Sequence, residues 1–444
     1  MTRFLYTLLL SALSPLLLYS LYKKKEGKPP FGERWKEHFG FTPSLITTKR
    51  PIWIHAVSVG EAIATIPIIK ALKGQDSEQP ILVTTTTSTG AEQIEKLGSL
   101  VEHRYMPIDF SFAIRNFLKV TNPKKMLIME TELWPNTLHT VAKYGIPISV
   151  LNARLSEKSY LGYKRVQPIF NLLAKHLTQV CCQYEDDAKR FIALGIPTEK
   201  VHITGSIKFD IEITKKTIES GRCLRKQLGI NRPIWIAAST HKGEDELILD
   251  AHQKLLKTLP TALLILVPRH PERFNSVFEL CRNAHFQTVK RTLDQNINHE
   301  TQVYLGNTMG EMLTLIGAAD ICFMGGSLLG DKVGGHNVLE PAALDTPVIT
   351  GSSYFNFKEI VDLLSQNLAL EIITSPEQLS SSISILFCNN EKRNSMIKNA
   401  ARIVKLNQGA LLNTINYIKL CHYEFIFSYI AITIYLCIRS QALF

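Results

Sequence analysis

Trp53-Ile54-His55-Ala56-Val57-Ser58-Val59-Gly60-Glu61-Ala62 is the stretch on which the reading of this chain turns. It opens as a short apolar run of strand type and passes through a glycine turn. An amphipathic pattern follows, with Ala62, Ile63, Ile66, Ile69 and Ala71 on its apolar positions, which predicts a helix. Strand, turn and helix in this order form the unit of an open α/β sheet. Ligands bind such sheets beyond the carboxyl ends of the strands, where the strand order reverses. Glu61 is therefore a candidate for chemistry, although an acidic residue in a first helical turn also simply complements the helix dipole. The stretch alone leaves both roles open.

The same alternation continues outward. Ile81-Leu82-Val83 runs into a threonine-rich turn ending at Gly90, and Met126-Leu127-Ile128-Met129 into Glu130-Thr131-Glu132, with Pro135 opening the next helix. Further strands are expected at 148–151, 180–183 and 201–203. A second series begins near Asn231, with strands at 234–238, 263–267, 303–305, 321–324 and 346–349. Short apolar runs separated by amphipathic helices predict parallel sheets covered on both faces. The chain thus reads as α/β with two Rossmann-like, doubly wound domains, at 51–210 and 233–420, joined by a connector at 211–232. Two such domains would face each other across a cleft.

Both ends of the chain are apolar. Phe4 to Tyr22 carries no charge over 19 residues, just enough to span a bilayer. Lys23, Lys24, Lys25 and Lys28 follow, so residues 1–22 read as a single membrane anchor with everything downstream on the cytoplasmic side of the inner membrane. No small-residue cleavage site precedes the lysines, which argues against a removed signal peptide. Pro15 leaves open an anchor that dips into one leaflet only. Residues 23–50 hold eight basic and three acidic side chains. Such a segment attracts anionic lipid, at about 1 kcal/mol per basic residue near the surface. At the other end, 421–444 forms an apolar tail whose run of 14 residues, Phe425 to Ile438, is short for a span.

Composition narrows the function. The net charge of +11 over 444 residues suits an anionic partner. There is no zinc-finger spacing, RNA-binding aromatic signature or long arginine run, so no nucleic-acid partner is expected. The eight cysteines are scattered without CxxC spacing, the pattern of reduced core residues. No HxH, HExxH or DxD constellation points to a metal. Neither a P-loop nor GxGxxG is present, which disfavours kinase and dehydrogenase chemistry.

The second domain carries phosphate-type turns. Gly325-Gly326-Ser327 ends a strand, and Gly334-Gly335-His336-Asn337 leads into Val338-Leu339-Glu340, with Asn337 and Glu340 spaced as a capping box. Glycine turns and helix starts offer backbone N–H groups to an anion. Pro268-Arg269 places a guanidinium at a strand end for bidentate phosphate contact, and Met309-Gly310-Glu311 forms a third turn. Glu340 could alternatively accept from ribose hydroxyls. In the first domain Glu61, Glu130 and Lys208 supply carboxylates and a cation suited to activating a hydroxyl and neutralising a leaving phosphate. Glu132 is the weaker member of the Glu130/Glu132 pair, since a structural role at a helix start suffices for it.

Taken in order, HAVSVGEA (55–62), METELWPN (129–136), NARLS (152–156), GSIKFD (205–210), STHKGE (239–244), LVPRHPERF (266–274), GNTMGE (306–311) and GGHNVLEPAA (334–343) resemble the 3-deoxy-D-manno-octulosonic acid (Kdo) transferases of lipopolysaccharide synthesis. These are membrane-anchored glycosyltransferases of the GT-B fold. The resemblance runs from the anchor to about residue 415. It implies transfer of Kdo from CMP-Kdo to a lipid A precursor by inverting displacement, with CMP-Kdo a substrate and no cofactor or metal. Glu61 then corresponds to the general base, and Glu130 and Lys208 to the groups that stabilise the transition state. Pro268, Arg269, Met309, Gly310, Glu311, Asn337, Val338, Leu339 and Glu340 correspond to the CMP pocket. The loop 328–333 is longer than the family pattern, and the tail after about 420 falls outside it. A catalytically inactive binding module and an epimerase of the same fold are the other readings.

Overall fold

The computed structural model describes residues 2–23, 30–293 and 297–419. The expectations for Lys24, Lys25 and Lys28, and for the apolar tail 421–444, lie outside the described residues. The chain divides into two compact units, Met1–Asp210 together with Gln408 onward, and Ile211–Asn407.

The first unit is built on a seven-stranded parallel sheet. Its strands are β1 (Ile52–Ala56), β2 (Ile81–Thr85), β3 (Glu102–Tyr105), β4 (Lys125–Met129), β5 (Ile148–Ala153), β6 (Gln179–Cys182) and β7 (Val201–Ile203). Their order is β3-β2-β1-β4-β5-β6-β7. The order reverses between β1 and β4, which pair in register from Ile52 with Lys125 to His55 with Ile128. β1, β2, β4, β5 and β6 are buried throughout. That burial explains why they read as continuous apolar runs, the mark of a parallel sheet covered on both faces.

The helix after β1 covers Val59–Gln75. Its buried face is Ala62, Thr65, Ile68, Ile69 and Leu72, while Ile63 is 45% exposed. The expected apolar stripe is therefore rotated. Pro67 sits inside the helix, and Ile68 rather than Ile66 meets the sheet.

The second unit repeats the architecture with β8 (Ile234–Thr240), β9 (Leu263–Pro268), β10 (Thr288–Lys290), β11 (Val303–Leu305), β12 (Ile321–Met324), β13 (Val348–Thr350) and β14 (Leu370–Ile372). The order is β10-β11-β9-β8-β12-β13-β14, all parallel where paired, and it reverses between β8 and β12. Trp235, Phe323, Leu264 and Ile383 are among the buried side chains of its core.

The second domain was expected to run to residue 420. The long helix Asn390–Asn407 does pack in the second unit, but the chain then crosses back. Residues 410–419 are helical, and Ala410, Ile415 and Ile418 bury their side chains against Ile54, Val83 and Leu127 of the first sheet. Lys125 Nζ donates to Ile418 O at 2.7 Å, and the His202 and Tyr417 rings stack at 4.1 Å. Three apolar side chains of one helix face find an uncovered face of the first core, and that burial decides where the segment belongs.

Candidate active site

In the first unit the strand order reverses between β1 and β4, and the two strands end in Glu61's turn and in Glu130. Ser58 caps the helix Val59–Gln75. Its hydroxyl accepts from Glu61 N at 3.3 Å and donates to Glu61 Oε1 at 2.8 Å, while Val57 N donates to Oε2 at 2.8 Å. The side chains of N-cap and N3 thus hold each other, as in a capping box. The carboxylate is fixed in one orientation and only 7% exposed. Burial raises its pKa, and the nearby charge of Glu130 adds to that, against the lowering effect of the two hydrogen bonds. Desolvation therefore outweighs these hydrogen bonds, and Glu61 is a stronger base than a solvent-exposed glutamate.

Glu130 follows β4 in a left-handed conformation, φ 57°, and Asn152 at the end of β5 shares it, φ 51°. Such conformations in non-glycine residues cost about 1–3 kcal/mol and cluster at functional sites. Asn152 Oδ1 accepts from Ile207 N at 3.2 Å, which fixes the turn Ile207–Phe209 carrying Lys208. Lys208 Nζ lies 4.0 Å from Glu130 Oε1. Asp210, two residues on, accepts from Gly409 N and Leu411 N, both at 2.6 Å. The returning C-terminal segment thereby clamps the lysine turn. Asn152 Nδ2 and Ser206 Oγ are buried without a hydrogen-bond partner. The structure thus brings Glu130 and Lys208 together and places Glu61 within electrostatic reach of Glu130.

Glu132 emerges as more than a helix-start residue. Its pKa is pushed up to about 7 by burial and then by the charges of Glu61 and Glu130. Three glutamates thus share one strand-end region with one lysine. The METE spacing contained this signal, because two carboxylates two residues apart on a tight turn cannot both escape the sheet edge.

In the second unit the turns behave less uniformly than their glycines suggested. The N–H groups of Gly326, Ser327 and Leu328 do bind an anion, but it is the chain's own. Glu244 is fully buried and accepts from all three, at 2.6, 2.9 and 3.0 Å, and from His241 N at 3.0 Å. The Gly325-Gly326-Ser327 turn is filled by a side chain and is not open to phosphate. The GGHN turn also departs from expectation. The helix begins only at Leu339 with Val338 as its N-cap, and it has five residues. Asn337 Oδ1 accepts from Leu339 N at 3.2 Å, and its Nδ2 donates to Glu340 Oε1 at 3.2 Å. Asn337 thus orients Glu340 instead of capping the helix. Val338 and Leu339 are buried, so they can offer a ligand their backbone at most.

Pro268 ends β9 and pairs with Thr240 of β8. Arg269 follows, exposed, with N donating to Thr240 O at 3.0 Å. Its guanidinium lies within electrostatic reach of Glu340, His241 and His336. Arg273, by contrast, is occupied by Asp245 and the Thr240 carbonyl. His241 Nε2 and His336 Nε2 are 2.8 Å apart. Burial lowers both, to about 4 and about 3, so neutral rings share one proton across this bond. Burial raises the Glu340 carboxyl. Met309 is 67% exposed at the tip of its turn, with Gly310 at φ 81°. The Glu311 carboxylate is held in a fork by Arg291, at 3.0 and 3.2 Å, and this hydrogen bonding keeps it below the usual carboxylate range. Arg291 was not foreseen, nor were Glu244, His241 and His336 as side-chain partners.

Comparison with known proteins covers both units. Residues 33–211 match the family model described as 3-Deoxy-D-manno-octulosonic-acid transferase (kdotransferase), and 237–403 match that of glycosyl transferases group 1. A 3-deoxy-D-manno-octulosonic acid transferase of Haemophilus influenzae is 40% identical, over 94% of this chain and 98% of its own. The chain belongs to the Kdo transferase family. It is a glycosyltransferase, and the anticipated fold is present, two parallel α/β units of the GT-B kind preceded by an apolar helix. A probable mitochondrial Kdo transferase of Arabidopsis thaliana is 32% identical over 87% of this chain and 88% of its own. Among solved structures, a putative UDP-N-acetylglucosamine 2-epimerase of Listeria monocytogenes superposes with a TM-score of 0.53, at 13% identity, covering 85% of this chain and 97% of its own. That likeness concerns the fold alone. As a Kdo transferase, this chain has its carboxylate cluster and lysine inside the stretch that the transferase-specific model matches, 33–211.

Proposed function

We propose that this Kdo transferase moves Kdo from CMP-Kdo to a hydroxyl of a lipid A precursor at the cytoplasmic face of the inner membrane. Glu61 removes the proton from the acceptor hydroxyl, which attacks the anomeric carbon from the face opposite CMP, and configuration inverts. The observation that carries this reading is Glu61 itself, a buried, oriented carboxylate at the switch point whose pKa is raised by burial. A general base works best when its pKa approaches the operating pH. Lys208, held beside Glu130 at 4.0 Å, supplies positive charge for the charge that develops during displacement. In the second unit Arg269 is the residue suited to the CMP phosphate, since a guanidinium binds such an oxyanion through two parallel hydrogen bonds. Glu340, held by Asn337, is suited to the ribose hydroxyls. Met309, Gly310 and Glu311, with Val338 and Leu339, complete the pocket mainly through backbone. The Pro268 ring fixes the strand end from which Arg269 projects.

No cofactor enters this scheme. The leaving phosphate is neutralised by side chains and backbone dipoles, which predicts transfer in the presence of a chelator. The test is incubation of detergent-solubilised protein with CMP-Kdo and a tetraacylated, bisphosphorylated lipid A precursor. The expected result is a Kdo-bearing lipid by mass spectrometry with one CMP released per Kdo. Absence of both products would refute the proposal, while CMP release without a lipid product would indicate another acceptor.

A further inference from the structure

The apolar helix Thr2–Tyr22 is 21 residues long, about 31 Å at ~1.5 Å per residue. By length and composition it could cross a membrane. A helix that crosses a membrane touches its soluble domain only near one end. This helix touches the first unit at both ends. Near its start, Tyr6 Oη donates to Asp109 Oδ2 at 2.9 Å, and Thr7 Oγ1 lies 3.0 Å from Asn136 Nδ2. At its finish, Tyr22 Oη is 2.8 Å from His38 Nδ1. About 24 Å of helix axis separates Tyr6 from Tyr22.

The partners at the start are interior parts of the folded unit. Asp109 is 7% exposed and also accepts from Asn136 N at 3.1 Å and from Thr137 N and Oγ1, both at 2.6 Å. It thereby satisfies the first N–H groups of the helix Pro135–Lys143 that follows the METE turn. If Tyr22 stood at the cytoplasmic interface and the helix crossed a hydrocarbon core of about 30 Å, Asp109 and Asn136 would have to cross with it. A seven-stranded sheet domain cannot.

The exposure pattern agrees. Arg3, Tyr6, Thr7, Leu10, Ser14, Leu18 and Leu21 are half-buried and recur every three to four residues along the whole helix. The opposite face carries Phe4, Leu5, Leu8, Leu9, Leu13, Leu16 and Leu17, all exposed. An apolar face about thirty ångströms long, with a folded domain half-covering the opposite side, fits the surface of a lipid monolayer.

We infer that helix Thr2–Tyr22 lies flat along the acceptor-side unit and inserts its outer face into one leaflet, so that both helix ends stay on the side of the sheet domain. This rests on the reading that the helix anchors the chain in a membrane. Its consequence concerns a cavity of about 920 Å³ between the helix and the turn Gly32–Phe39, whose walls include Leu17, Leu21, Phe31, Trp35, Thr87 and Ser88. Thr87 Oγ1 donates to Val57 O at 3.3 Å, and Val57 N holds Glu61. A flat helix brings the lipid surface to the mouth of this cavity.

The test places one cysteine at a time at Leu5, Leu9, Leu13 and Leu17 of the full chain, with Cys223, Cys388, Cys421 and Cys437 changed to serine. Each is labelled with a nitrobenzoxadiazole dye in vesicles of phosphatidylethanolamine and phosphatidylglycerol. Quenchers attached near the headgroup and near the bilayer centre read the depth. The flat helix predicts four similar depths, each quenched more by the shallow probe. A profile deepest near Leu13 and shallow at Leu5 would overturn it in favour of a span. Quenching by neither probe would overturn membrane anchoring itself and leave a protein partner as the occupant of the face. Independently, a disulfide should form under mild oxidation between Thr7→Cys and Asn136→Cys in vesicle-bound protein that retains transferase activity. A span would keep these positions apart, and failure to cross-link in active protein counts against the flat helix.

Discussion

The two units reverse their strand order in the same way and use the reversal differently. In the first, β1 and β4 lead to carboxylates that backbone N–H groups do not saturate. Glu61 takes two hydrogen bonds, Glu130 stands 4.0 Å from Lys208, and Glu132 is pushed towards neutrality by burial and then by its neighbours. In the second, β8 and β12 also converge on a carboxylate, but Glu244 is saturated by four N–H groups and buried. What remains at that edge is Arg269, exposed, with the neutral His241–His336 pair behind it. On the proposed scheme the first unit's unsaturated carboxylates serve as the base site, while the second unit ties Glu244 to backbone N–H groups and leaves Arg269 exposed for a phosphate. The same fold supports both proposed roles because the carboxylates are tied differently.

The sharpest way to break this comparison is at Glu61. Glu61→Gln keeps the size and most of the capping contacts but removes the base. We expect transfer to fall by roughly 10²- to 10⁴-fold, the usual contribution of a general base, with CMP affinity unchanged by calorimetry. Equal loss of transfer and CMP binding would make Glu61 a structural cap. Next comes Glu244→Ala, which removes no reacting group but leaves the N–H groups of His241, Gly326, Ser327 and Leu328 without their acceptor. Each buried N–H left unpaired costs about 1–3 kcal/mol. Thermal unfolding should drop by many degrees, and inorganic phosphate at millimolar levels should restore part of the loss by entering the vacated cradle. A variant as stable as the parent would show that the four N–H groups do not depend on this carboxylate.

A smaller effect is expected at Arg269. Arg269→Lys keeps the charge but loses the planar fork. CMP binding should weaken roughly tenfold, ~1.4 kcal/mol, with little change in melting temperature because the side chain is exposed. An unchanged affinity would mean that the phosphate is held elsewhere.

These expectations lean unequally on the sequence. The ten central strands were legible because parallel strands buried on both faces must be continuous apolar runs. β3, β10 and β14 were not, since Glu102–Tyr105, Thr288–Lys290 and Leu370–Ile372 are short and carry charged residues at the sheet edges or beside them. Glu61 was legible as a residue at a strand-to-helix turn. Its strength as a base was not, because dipole and desolvation oppose each other and only packing decides between them. Glu244 stands first of three consecutive acids, Glu244-Asp245-Glu246, and nothing local ties it to a turn more than eighty residues later. The Arg291–Glu311 pair was hidden in the same way, and so was the return of 410–419 to the first sheet. Local pattern finds elements; it does not find partners distant along the chain.

The last and smallest expected effect concerns Glu132 in the first unit and is read against pH. Its carboxyl has a folded value of about 7, against an ordinary 4.5, with burial the main cause and the charges of Glu61 and Glu130 next. Below about 4.5 the group is protonated in both folded and unfolded chains and does not affect their balance. Between 4.5 and 7 the unfolded chain releases this proton while the folded chain retains it, so rising pH favours unfolding. Above about 7 both have released it, and the penalty is constant. Glu132→Gln removes the titration. Its melting temperature relative to the parent should therefore rise between pH 4.5 and 7 and level off by pH 8, a shift of a few degrees assigned to the first unit. If Glu132→Gln differs from the parent by the same amount at pH 5 and pH 8, burial and the charges of Glu61 and Glu130 do not raise the Glu132 carboxyl, and the cluster carries its charge without mutual strain.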